Sequence, residues 1–241
     1  MNTIDTAKAT KALIVDLPSN FMLDGATYAR GGELGYDGLD FYAAGRGGTL
    51  GAVDADVIAA TFVFFNPTTV RDHWQRALAV GDPMVAGTAF AECAHAWGRM
   101  HLDDTTDHGR LADLLERVVA AANPAGAPLF AAWRALPTPS DAKARVIHFA
   151  NALRELRGAM HGASILAHAV PAGVAVQTKS PHMAALFGWS EPTEGVSDYA
   201  DAWAAADAAT DVAFAPAFAA LTVDERRELA ELGAQAVAGA S

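Results

Sequence analysis

The sequence predicts a mainly α-helical fold, a multi-helix domain packed around one long central helix, with a smaller helical part at the C-terminal end. Three observations predict it. Residues 142–168 contain no proline and sustain one long helical pattern. Much of the 52% hydrophobic content is alanine, which helices favour and sheets use poorly. Helix start and stop signals recur along the chain, and only one segment hints at a strand.

In chain order, residues 1–11 are expected to form a flexible tail. Asp24 is placed to cap a short helix through Glu33, ended by Gly35, and a second short helix runs to Gly47-Gly48. Asp54 caps a third, ADVIAATFVFF, expected to continue to Asn66, because Pro67 disfavours helical backbone in the residue before it. Pro67 and Pro83 each suit the first turn of the next helix. HLDDTTDHG reads as a polar loop, and residues 111–122 as a helix closed by Asn123-Pro124. A short helix, PLFAAWRAL, precedes the long one. VPAGVAVQTKSP, bracketed by Pro171 and Pro181, is the segment that suggests a strand. An alanine-rich helix from Ser197 or Asp198 is broken at Pro216, and Thr222 with Glu225 forms a capping box for the last helix. The expected divisions are a tail (1–11), a ligand-binding helical domain (12–170) and a C-terminal subdomain (171–241).

Composition narrows the function. Seventeen Lys and Arg stand against 28 Asp and Glu, a net charge of −11, so broad electrostatic binding to nucleic acid is disfavoured. The single cysteine, Cys93, permits no internal disulfide and no thiolate cluster, and its apolar context marks it as a small core residue. No secretory signal and no membrane-length apolar run are present, which points to a cytoplasmic protein without membrane partners. No metal or other cofactor is expected. His161 and His168 lie seven residues apart, outside the i, i+3 or i+4 spacing of a chelating pair. The glycine runs ARGGELG and GRGGTLG lack the strand and the following Lys-Ser or Lys-Thr of a phosphate loop, and no serine sits in a G-x-S-x-G elbow.

The long helix carries the main candidate site. At about 100° per residue, Arg154, Arg157, His161 and His168 share one arc, opposite Phe149, Leu153, Leu156 and Met160. Guanidinium groups there suit a carboxylate or phosphate, and an adjacent arginine favours a neutral imidazole. The competing reading is a solvated face of an amphipathic helix. Gly158 and Gly162 allow close approach to the same face. A second cluster contains Phe62, Phe64, Phe65, Asn66 and Trp74, with Tyr42 and Arg46 upstream. These residues suit either the wall of an organic-ligand pocket or the core where helices meet.

Three stretches, FYAAGRGGTLG (41–51) followed by VIAATFVFFNPTTV, LRELRGAMH (153–161) and GWSE (188–191), resemble an uncharacterised actinobacterial family classed as helix-turn-helix and related to the MarR regulators. The likeness spans roughly residues 20–200. It implies that the C-terminal part is a degenerate helix-turn-helix, winged-helix-like unit, and it assigns no catalytic or binding residue. The chain departs from the pattern after Glu191, where alanine-rich helices follow and no basic recognition helix is visible.

The expected function is binding of a small organic anion. Arg154 and Arg157 pair with it, His161 makes one hydrogen bond, and Tyr42, Arg46, Phe65, Asn66 and Trp74 line the pocket. One alternative is a cofactor-independent enzyme with His161 as general base. The other is a ligand-responsive transcriptional regulator, with DNA binding disfavoured by charge. Pairing of C-terminal helices into a homodimer is compatible with their alanine content.

Overall fold

The computed structural model describes residues 1–189 and 193–240 and, among them, is helical throughout with no strand. Its α-helices are α1 (Thr3–Ala9), α2 (Leu17–Leu23), α3 (Gly25–Glu33), α4 (Gly38–Gly47), α5 (Ala55–Thr61), α6 (Pro67–Val80), α7 (Pro83–His101), α8 (His108–Ala121), α9 (Pro128–Trp133), α10 (Ala142–Ala167), α11 (Ala172–Lys179), α12 (Ala200–Phe214) and α13 (Val223–Gly239). Side-chain caps set many of the starts. Asp24, Asp54, Asn66, Asp82, Asp107 and Asp141 each accept a hydrogen bond from a first-turn backbone N–H. The Thr222–Glu225 capping box is formed.

The 26-residue α10 is the central rod. It packs against α7, α8, α9 and α12, and against residues 12–23. Val146, Ile147, Ala150, Leu153 and Leu156 are fully buried along it. Its C-terminal end emerges from the core, with Leu166 exposed.

Three expectations change. Residues 3–9 form a helix rather than a loose tail. Asn2 caps it, and Thr6 and Ala7 are buried. Residues 172–179 are helical rather than extended, with Val174, Ala175 and Val176 buried. A short apolar run carries no period that separates helix from strand, and Pro171 just ahead of it suits a helix start. The expected boundary at residue 170 does not divide the core: Phe214, Phe218, Leu229 and Ala236 share one apolar cluster with Leu13, Trp74 and Leu153. Among the described residues a small second cluster, with Ile165, Val170, Val174 and Ala206, stands apart. Of the GWSE turn, Ser190 and Glu191 lie outside the described residues, while Gly188 closes its turn with φ +82°.

Candidate functional site

A cavity of about 760 Å³ opens between α10 and the segment that follows α5. The sequence reading carried α5 to Asn66, but the helix ends at Thr61. Phe62 leaves helical geometry, and the chain turns through Phe65, whose N–H donates to the Phe62 carbonyl at 2.8 Å. Asn66 N–H donates to the Phe187 carbonyl, and the Trp189 indole donates to the Phe64 carbonyl, both at 2.8 Å. The turn is therefore tied to the segment after α11. It presents Phe62, Val63, Phe64 and Phe65 to the cavity, and Tyr42, Leu129 and Phe187 complete the apolar walls. Phe65 stacks between Phe187 (4.1 Å) and Tyr42 (5.6 Å).

The polar side is built on α10. Arg46 reaches across from α4 and forks onto Glu155, Nε to Oε1 at 2.9 Å and Nη2 to Oε2 at 2.8 Å. The Glu155 side chain is 1% exposed and that of Arg46 is 11% exposed, so this is a buried pair. The guanidinium also lies 4.4 Å from the Phe62 ring centroid. Burial alone would raise the Glu155 carboxyl, but Arg46 and then Arg154 outweigh it and hold its pKa below the ordinary value. Arg154 donates to Glu155 Oε1 at 3.2 Å and meets Ser19 Oγ at 3.4 Å. Two guanidinium groups thus face one carboxylate, which leaves one positive charge in excess on this wall.

One turn further along, Arg157 is buried and pairs with Asp211 at 3.2 Å and Asp207 at 3.4 Å on α12. Lys11 completes a neutral group by binding Asp207 at 3.0 Å. His161 follows, stacked on Phe64 with centroids 5.2 Å apart. Its Nδ1 lies 2.9 Å from Thr210 Oγ1. Burial first, then the Arg157 charge, pushes the imidazole down to about 4, so it is neutral at physiological pH.

Tyr42, Arg46, Phe65, Arg154, Arg157 and His161 therefore meet around one cavity. Asn66 and Trp74 do not line it. The Asn66 side chain is used as the cap of α6, accepting from Thr68 N–H. Trp74 is fully buried, with its indole donating to the Val53 carbonyl, and belongs to the core. His168 at the end of the row turns back to the Ser164 carbonyl. Arg157 faces two carboxylates rather than open space, so it is a wall and not a free anion receptor.

Sequence reasoning missed Glu155, the charge that organises the site. A carboxylate between Leu153 and Leu156 on the helix that packs most widely was its one visible signal. Asp207, Thr210 and Asp211 come from α12, and nothing local in the sequence points them at α10.

The model of a helix-turn-helix family matches residues 10–240. No curated protein matches the chain, and no solved structure does.

Proposed function

The chain belongs to a helix-turn-helix family, and from that premise we propose that it binds a small apolar organic anion in the cavity beside α10. The observation that carries the reading is the unmatched guanidinium charge: Arg46 and Arg154 share the carboxylate of Glu155 in a largely apolar cavity, whose other lining carboxylate, Asp56, is paired with Arg71. Arg46 is committed to its fork with Glu155. Arg154, with longer contacts and a side chain 21% exposed, is the guanidinium that meets a ligand carboxylate. The cavity volume of about 760 Å³ suits a drug-sized organic molecule.

Two observations favour binding over the alternatives. An imidazole with a pKa of about 4 is a weak base, poorly matched to proton abstraction near neutral pH but able to accept a hydrogen bond. For a regulator, a helix in the major groove needs free cations. α12 has none, and on α13 Arg226 donates to the carbonyls of Met1 and Leu221, which leaves the exposed Arg227, in a surface pair with Asp224, as that helix's one available cation. The kinship with MarR regulators, the actinobacterial origin and the cytoplasmic location rest on the sequence alone. Among the described residues, no single helix is long and apolar enough to cross a membrane.

Calorimetric titration with 2-naphthoate and its uncharged amide tests the reading. The wild-type protein is expected to prefer the acid by roughly ten- to a hundredfold, the range for hydrogen bonds to charged groups. Arg154→Ala is expected to remove that preference. Equal affinity for acid and amide in the wild type would count against an anion site.

A further inference from the structure

From the hydrogen-bond chain at His161 we infer that the ligand carries a hydrogen-bond donor, a hydroxyl or N–H, about two helical turns from its carboxylate. This rests on the anion-binding reading above and specifies its ligand. Thr210 Oγ1 lies 2.7 Å from the Ala206 carbonyl, an oxygen that can only accept, so the single hydroxyl proton of Thr210 points there. Thr210 Oγ1 is therefore an acceptor toward His161, and the proton between them sits on His161 Nδ1. A neutral imidazole protonated on Nδ1 has a lone pair on Nε2. Among the described residues the hydrogen bond found for the ring is the one at Nδ1, and the residue lines the cavity. Stacking on Phe64 and the Thr210 bond hold the ring in this orientation.

The α10 wall of the cavity therefore offers two opposite polarities. Arg154 presents donors to an anionic acceptor. His161 presents an acceptor to a donor. The two residues are seven apart on α10, a rise of about 10.5 Å along the helix axis. The aromatic side chains that also line the cavity, Phe62, Phe64 and Phe65, suit a flat apolar body. An elongated fused-ring acid with a hydroxyl opposite its carboxylate meets all three requirements. A methyl ether at that position removes the donor and leaves His161 Nε2 facing a second acceptor.

The test is titration with 6-hydroxy-2-naphthoate and 6-methoxy-2-naphthoate on the wild-type protein and on His161→Phe, which keeps a ring against Phe64. The wild type is expected to bind the hydroxy acid about three- to tenfold more tightly, the range of one neutral hydrogen bond, and His161→Phe to bind both equally. Equal binding by the wild type, or a preference that survives in His161→Phe, overturns this inference and leaves the anion site standing. Binding of neither acid overturns both. A second measurement does not depend on the variant's folding: nitrogen NMR of the wild-type imidazole. The Nδ1-protonated tautomer, with Nε2 shifting only on addition of the hydroxy acid, supports the inference, and an Nε2-protonated ring refutes it.

Discussion

At the scale of single residues, Glu155 decides the character of the cavity. Removing its charge strands Arg46 in an apolar wall, and breaking a buried pair from one side typically costs about 3–5 kcal/mol. Glu155→Gln is therefore expected to lose about that much stability in urea denaturation. Arg46→Met combined with Glu155→Leu, which removes both charges and keeps the volume, should recover most of it. A Gln variant as stable as the wild type would show that the pair is not isolated from water. The sequence disclosed this residue poorly. Arg154, Arg157 and His161 were legible because helical spacing puts them on one arc. Glu155 stands off that arc, and its partner lies 109 residues away on α4, a distance no local pattern reports. Asn66 and Trp74 were misread for the opposite reason. Polar and aromatic types suit a pocket, but a helix cap and a core anchor use the same side chains.

At the scale of elements, two glycines on α10 do different work. A Cβ at Gly158 would meet nothing within 4 Å, because that position faces the cavity. One at Gly162 would lie 2.8 Å from Val63 Cγ2, so its absence lets the turn after α5 seat against the rod. Gly158→Ala is expected to raise stability by about 0.5–1 kcal/mol, the usual gain from replacing a mid-helix glycine. Gly162→Ala should lower it, because Val63 must move. The opposite order in thermal melts would contradict this placement of α10 against the turn. Most helices were readable from their caps and prolines. The early end of α5 was not, because Phe62–Phe65 continue an apolar run and the contacts that stop the helix come from Phe187 and Trp189. The helical state of residues 172–179 was hidden by the shortness of the segment.

At the scale of the whole molecule, the fold keeps three buried histidines, His95, His148 and His161, out of the protonated state. His95 and His148 lie 3.2 Å apart between α7 and α10, and burial pushes both down to about 4, His95 with added repulsion from His148. His161 behaves alike. In the unfolded chain each takes up a proton near pH 6.5, so the unfolded state binds more protons between that value and about 4. Their stabilisation is complete above pH 6.5 and is lost progressively as pH falls toward 4. Urea midpoints are expected to drop over this window, and a flat profile would contradict the burial of these rings. The all-helical class was legible from alanine content and punctuation. The way the chain's ends join one core was not, since Ala7, Phe218 and Ala236 meet only in three dimensions. The most direct test of the binding cavity is to fill it. Gly158→Trp places a large side chain in open space without displacing a neighbour at Cβ. Calorimetry with 2-naphthoate should show one site per chain in the wild type and none in the folded Trp variant. Equal binding by both proteins would mean that the ligand sits elsewhere and that the space beside α10 is not the site.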